Sequence, residues 1–364
     1  MYILKGGLAT LDQFADALAI DESTVVIDLK KSDGFLSECL SKMTSNDTVI
    51  TFNNVGTQVD IWRKIGMKLV NILVDHPVFY IEQISKAWYE KYYVACVDKT
   101  HVDFLNRIFE GCEKHFMFLP HGGIQKPQAE KDIDILYVGS FHSDEEIVFL
   151  PVPGVTDSEE FYEIIINYYE NEKYATCHDA VTYYSKIKGM ELTAEMLVTL
   201  SHYALCTVEW SFVKNRRTQL IEVLAESGFH IDICGSNVWE ELALKYPDKI
   251  NYRGYLSPDE ALDLICRAKI LLNDHPYFPE GAHERVFNGM MNRAVVMTNE
   301  SRYLKERFKD EESVLFWDGM DYETLTEKIH KVMEDTELVC RIAEKAFELT
   351  KDDGWKSRYN SIFC

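Results

Sequence analysis

Positive charge is what this sequence has least of. Against 60 Asp and Glu it carries 38 Lys and Arg, a formal net charge of -22 over 364 residues. A general nucleic-acid binder needs a basic field to displace phosphate counterions, so that class is excluded, as is docking on anionic lipid through surface charge alone. A single basic cleft stays open, because net charge says little about one pocket. Long apolar runs are also missing, and none approaches the ~18 residues of a membrane-spanning helix, so no integral membrane segment is expected. Residues 1–7 hold no basic region followed by an apolar stretch, and no secretory leader is expected. The nine cysteines are scattered and include no Cys-x-x-Cys pair, which reads as reduced thiols in a cytoplasmic protein and argues against zinc. Neither a Walker A loop nor a Gly-x-Gly-x-x-Gly fingerprint occurs, which argues against ATP- and NAD-type domains.

What is present is an alternation of short β-branched runs with longer segments of helical period. Residues 2–4, 24–29, 48–52, 70–74, 93–97 and 115–119 read as buried strands, with helices at 10–19, 59–65 and 100–109 between them. A second series starts at 133–138 and continues at 230–234, 250–253, 270–273, 294–298 and 313–316. Helices fit 218–226, 258–267, 285–291, 322–334 and 337–350. Strands separated by helices predict βαβ units and parallel sheets. The expected domains are 1–124 and 125–350, followed by a C-terminal helix at 351–364, with a polar linker near 125–131. An insertion at about 159–213 carries apolar stripes of helical period and either covers the second domain or forms a lid.

Ligands of open α/β sheets sit at the carboxyl ends of strands. The candidates there are Gly6-Gly7, Gly139-Ser140 and Gly235-Ser236, each after a strand, where small residues permit close approach of an anion; each pair equally fits a plain tight turn. The segment 275–289 follows a strand and opens a helix. Glu280, Gly281, Ala282, His283, Glu284 and Arg285 pack carboxylates, an imidazole and a guanidinium around a glycine, a composition suited to a polar cleft. Arg285 offers a bidentate donor for phosphate oxygens. Lys214-Asn215-Arg216-Arg217 is the densest basic cluster of the chain and reads either as a solvated face or as a source of arginine for a diphosphate.

Residues 254–257, 270–273, 280–288 and 294–298 together resemble the C-terminal domain of GT-B glycosyltransferases of the group 1, family 4-like type. The likeness is greatest to the bacterial branch of spore-maturation and spore-coat glycosyltransferases. It is strongest over 231–363, and Asp75-His76-Pro77 with Leu119-Pro120-His121-Gly122 is similar to the N-terminal half. The resemblance implies two Rossmann-like domains facing each other across a cleft, with a helical insertion in the second. It implies a nucleoside-diphosphate sugar as co-substrate, UDP-sugar favoured, with no other cofactor. A hydroxyl acceptor, no bound metal and a slight preference for retention are further implications. The family's Glu-x7-Glu motif places its first Glu at Glu280, near the donor sugar, and the following backbone, Gly281 to His283, at the diphosphate. Its second Glu, which holds the ribose, falls at Asn288, with Glu284 as a substitute carboxylate. Base-reading backbone falls at Tyr255 and Leu256, and diphosphate neutralisation at Arg216 or Arg217.

The acceptor is expected at Gly6, Gly7, Asp75, His76 and His121, where an Asp or a near-neutral His suits general-base work. Lys31 to Asp33 and Asp132-Ile133-Asp134 are poor candidates for a metal-binding acidic pair. Two other readings stay open: a GT-B-fold nucleotide-sugar epimerase, and a non-catalytic sugar-binding or scaffold protein, for which Asn288 is the best support.

Overall fold

The computed structural model describes residues 1–364 apart from 20–23, 31–32, 58–59, 276–277 and 364, and apart from the side chains of 33–37. Val59 at the start of an expected helix, Lys31 and Ser32 of the acidic stretch, and Pro276 and Tyr277 of the polar segment lie outside these residues. The chain forms two compact units, residues 1–122 with 354–364, and residues 123–353.

The first unit contains β1 (Tyr2–Lys5), α1 (Ala9–Leu18), β2 (Val25–Asp28), α2 (Asp33–Lys42), β3 (Thr48–Phe52), α3 (Ile61–Ile65), β4 (Lys68–Leu73), α4 (Ile81–Ala87), β5 (Tyr92–Cys96), α5 (Lys99–Ile108) and β6 (Phe116–Phe118). Its described strands form one parallel sheet in the order β2-β1-β3-β4-β5-β6, which reverses direction of winding between β1 and β3. β3, β4 and β5 are buried almost throughout, because helices cover both faces of a parallel sheet.

The second unit contains β7 (Ile133–Val138), α6 (Ser158–Asn171), α7 (Cys177–Lys188), α8 (Ala194–Tyr203), α9 (Trp210–Glu226), β8 (Ile231–Cys234), α10 (Glu240–Lys245), β9 (Ile250–Tyr252), α11 (Pro258–Arg267), β10 (Ala268–Asn273), α12 (Glu284–Met291), β11 (Val295–Asn299), α13 (Arg302–Arg307), β12 (Leu315–Trp317), α14 (Tyr322–Glu334) and α15 (Thr336–Thr350). Its described strands pair in parallel as β12-β11-β10-β7-β8-β9. Numbered within the unit, the strands follow a doubly wound order, with the switch point between β7 and β10. Both units are therefore Rossmann-like. Tyr137 and Trp239 centre the core on one face of this sheet, and Leu136, Leu271 and Ile265 that on the other.

Residues 354–364 return to the first unit as α16 (Trp355–Phe363), where Trp355 packs on Phe14 at 4.8 Å and Phe52 at 5.2 Å between ring centroids. The Trp355 backbone leaves no room for a Cβ at Gly122, so the glycine of the Pro-His-Gly-Gly stretch is required by close packing.

One expected boundary is corrected. A helix starting at 218 would leave the basic cluster 214–217 ahead of it, but α9 begins at Trp210 and contains the cluster. No Gly or Pro interrupts 194–226, and a π-helical turn at Ala204–Glu209 joins α8 to α9. The insertion helices thus run straight into the crossover helix, rather than ending at 213. Among the described residues no helix is long and apolar enough to cross a membrane.

Candidate functional site

The switch point of the second sheet sets the carboxyl ends of β7 and β10 side by side, where an open α/β sheet leaves its binding crevice. Three arginines converge there. Arg285, in the first turn of α12, is buried and donates to the Val138 carbonyl at the end of β7. Arg217, in α9, is buried and donates to the Asp274 carbonyl at 2.7 and 3.2 Å and to the Ser140 carbonyl. Among the described residues no carboxylate accepts a hydrogen bond from either guanidinium. Arg216, by contrast, pairs with Asp274 Oδ1 at 2.6 Å and lies over the Trp317 ring at 5.4 Å.

Burial holds the Arg285 guanidinium below its ordinary pKa, and the nearby Arg217 cation acts in the same direction, while Glu284 opposes both. Two cations removed from water and met mainly by carbonyl dipoles are costly, and an anion relieves that cost. The surroundings point the same way. Tyr137 Oη, Asn273 Oδ1, Asp274 Oδ2 and the Arg216 Nε are buried with no hydrogen-bond partner. Folded proteins leave few such atoms, and here four gather at adjoining strand ends. These are atoms that a polar ligand could satisfy.

The small residues at the ends of β7 and β8 brace this edge. A Cβ on Gly235 would overlap the Gly139 carbonyl, and Gly139 has φ 155°. Ser140 Oγ accepts from the Ser236 N–H at 2.7 Å, and Trp239 Nε1 donates to the Gly139 carbonyl at 2.7 Å. The N–H groups of Gly139 and Gly235 donate to the carbonyls of Cys234 at 2.9 Å and Gly254 at 3.1 Å. The backbone donors of Gly139, Gly235 and Ser236 are therefore engaged within the protein, and the guanidiniums are the groups with charge to offer.

The loop before α12 is built against α13. Glu280 pairs with Arg302, Ser301 Oγ donates to the Gly281 carbonyl at 2.6 Å, and the Arg302 N–H donates to the Pro279 carbonyl at 2.9 Å. Ala282 is buried, and His283 Nδ1 caps α12 by accepting from the Arg285 N–H at 3.3 Å, with Glu284 Oε2 2.6 Å from the same nitrogen. Glu280 to Arg285 thus form one junction tied to β7 through Arg285. Tyr255 is 78% exposed after β9, two strands from the switch point, and Leu256 packs into the core beside it.

Asn288 has another employment. Its Oδ1 accepts from the Ile124 N–H at 2.8 Å, while Asn292, one turn later, accepts from the Lys126 N–H and donates to the Ile124 carbonyl, both at 2.8 Å. The two amides clamp residues 124–126 to α12. Asn288→Ala is expected to remove about 1 kcal/mol of stability, with Asn288→Asp keeping the acceptor. Parallel melts of the two variants check this; an Asn288→Ala midpoint equal to that of wild type contradicts it.

In the first unit, Gly6 and Gly7 follow β1 at that sheet's own switch point, but their N–H groups both donate to Asp12 Oδ1, at 2.7 and 3.2 Å. Asp75, after β4, accepts from Asn53 Nδ2 at 2.7 Å and from the Tyr80 hydroxyl at 3.1 Å. His76 caps the turn Pro77–Phe79 through Nδ1 and meets the His101 ring at 4.5 Å. His121 is buried edge-on against Trp355 at 5.7 Å and Phe14 at 6.3 Å. Asp75 and His76 therefore stand together, while His121 lies in an aromatic cluster. Asp132 and Asp134 pair with Arg267 and Lys269, each at 2.6 Å.

Asp274, Tyr137, Asn273 and Arg302 escaped the sequence reading. Asn273-Asp274 directly after the apolar run 270–272 was the available signal, since two polar groups at a strand end mark a crevice.

Residues 216–362 match a glycosyl transferase-like family. The match names the broad family and no branch within it. No curated protein matches the sequence. Among solved structures, the chain is similar to Anabaena HepE in complex with UDP-glucose, at 11% identity and TM-score 0.56, covering 100% of this chain and 98% of that one. It is similar to sucrose-phosphate synthase from Thermosynechococcus elongatus at 11% identity and TM-score 0.53, over 100% and 97% of the two chains. A point mutant of S. aureus TarM, in complex with Fondaparinux, alpha-GlcNAc-glycerol and UDP, matches at 12% identity and TM-score 0.50 over 90% of this chain, which spans 57% of that protein. At these identities the likeness is one of fold, and the fold is GT-B.

Proposed function

From a GT-B fold carrying a glycosyl transferase-like domain, we propose that this protein transfers a sugar from a UDP-sugar to a hydroxyl acceptor. The observation that carries the reading is the pair of buried guanidiniums, Arg217 and Arg285, held at the switch point by carbonyl groups rather than carboxylates. A nucleoside diphosphate is the anion such a site suits. As the glycosidic bond breaks, negative charge builds on the leaving diphosphate. Cations already fixed in a water-poor site stabilise that charge without reorganising. The positive end of α12 adds to them. This supply of charge makes the reaction metal-independent in our reading. Glu280, steered by Arg302, stands at the sugar, and the backbone near Tyr255 and Leu256 reads the base. HepE holding UDP-glucose favours the uracil nucleotide.

Asp75 and His76 are the acceptor-side groups. His121, edge-on against Trp355 and Phe14, is the less favoured acceptor-side group in this reading. Retention is the favoured outcome, for which no strong protein base is needed. The free thiols among the described residues fit a reducing, cytoplasmic setting.

Thermal stability in the presence of UDP, GDP, dTDP, ADP and CMP tests the donor site. UDP at 100 times its Kd is expected to add about 2.7 kcal/mol by mass action, with the other bases well below that. A midpoint indifferent to every nucleotide overturns the reading.

A further inference from the structure

The helical insertion brings a second set of polar groups to this site. α6 and the π-helical turn at Ala204–Glu209 border, with α9, an open pocket of about 60 Å³ lined by Tyr169, Lys173, Glu209, Phe212 and Arg216. π-turns inside helices recur at functional sites, and this one delivers a buried carboxylate. Glu209 accepts from the Tyr169 hydroxyl, and Tyr169 and Phe212 present rings with centroids 5.7 Å apart. On the pocket's other side is Arg216, whose Nε is buried without a partner.

Two ties join this pocket to the switch point. Arg216 runs from the pocket to Asp274 at 2.6 Å, at the end of β10. Lys173 pairs with Glu300, and its neighbour Tyr174 lies under the Arg302 guanidinium at 4.6 Å, the guanidinium that pairs with Glu280. The pocket therefore adjoins the same groups that the donor reading places around diphosphate and sugar.

Its size and lining define the occupant. An apolar cavity of ~150 Å³ just accepts a six-membered ring, so 60 Å³ admits a substituent and not a pyranose ring. Two aromatic faces suit a methylene group. A carboxylate acceptor opposite cationic donors suits a hydroxyl, which donates and accepts. We propose that this pocket receives the exocyclic hydroxymethyl group of a hexose in the donor, with Glu209 as a specificity-determining residue. The inference rests on the UDP-sugar reading and adds the class of sugar to it.

Calorimetric titration of UDP, UDP-glucose and UDP-xylose, which lacks only the hydroxymethyl group, tests the assignment. Wild type is expected to bind UDP-glucose about 10-fold tighter than UDP-xylose, a difference of ~1.4 kcal/mol. In Glu209→Gln that preference falls below about 3-fold while the Kd for UDP alone stays at the wild-type value. Ala175→Leu, which fills the pocket without touching a charge, is expected to do the same, and it carries the test should the Gln variant fail to fold. UDP bound with an unchanged sugar preference in the variants, or with none in wild type, overturns the pocket assignment and leaves the donor site standing. Failure of wild type to bind UDP overturns both.

Discussion

Arg285→Met is expected to abolish UDP binding while leaving the ligand-free protein as stable as wild type, within about 1 kcal/mol. The reasoning turns on what Arg285 does in the absence of ligand. It is buried, its side chain donates to the Val138 carbonyl and the His283 ring, and it lies near the equally buried Arg217, whose like charge opposes its own. Replacing a buried ion by an apolar side chain of similar volume is often neutral or stabilising. Loss of the hydrogen bond to Val138 acts the other way, by about 1 kcal/mol. In the presence of a diphosphate the balance changes. Charge-assisted hydrogen bonds contribute ~1.5–3 kcal/mol each, so losing two weakens UDP about 100-fold or more. Urea melts of the free protein and calorimetric UDP titrations separate these quantities. A guanidinium with a purely structural role gives the opposite pattern, a destabilised free protein that still binds UDP. Arg285→Lys keeps the charge and loses the fork, and an intermediate affinity is expected from it.

That arginine was legible in the sequence because it sits at a polar junction where a helix opens after a strand. The alternation of apolar runs gave both sheets, since parallel strands covered on two faces need continuous apolar stretches. Strand edges shifted by a residue or two: β5 begins at Tyr92, and residues 113–115 form a turn ahead of β6. Other features were hidden for definite physical reasons. The Glu280-to-Asn288 spacing locates Asn288 on α12 but says nothing of its hydrogen bonds, which Asn292 shares in holding residues 124–126. Gly6-Gly7 reads as an open anion nest, yet Asp12, five and six residues on, fills it. Asp274 looks like any polar residue after a strand, and only the switch in strand order gives it Arg216 as a partner. Glu209 was invisible because a lone acid within an uninterrupted helical period reads as a solvated face. A π-turn leaves no mark of its own in such a pattern.

Glu209 also carries the largest expected dependence on pH. Burial pushes its pKa from 4.5 up to about 7, with the Tyr169 hydroxyl and the Cys177 N–H opposing the rise. The ionisable groups around it are Tyr169 from α6, Glu172 and Lys173 just after that helix, Cys177 from α7, Cys206 from its own turn and Arg216 from α9. Below the ordinary value of 4.5 the carboxyl is protonated in both folded and unfolded chains, and it contributes no pH dependence. Between 4.5 and about 7 the unfolded chain has released the proton and the folded one keeps it, so stability falls as pH rises. Above about 7 the folded chain releases it too, and the loss is complete. A shift of this size corresponds to about 3 kcal/mol. Glu209→Gln lacks the titration and keeps a polar group of the same shape. The stability difference between Gln variant and wild type is therefore expected to grow by about that amount from roughly pH 5 to pH 8, read as a widening gap between their urea midpoints. Every other titrating group is common to the two proteins and cancels in the comparison. A gap constant with pH means that Glu209 ionises in the folded protein as it does in the unfolded chain. A hydroxyl seated in the pocket bonds best to the ionised carboxylate. Hexose-donor affinity is therefore expected to climb through about pH 7 in wild type and to stay flat in the variant.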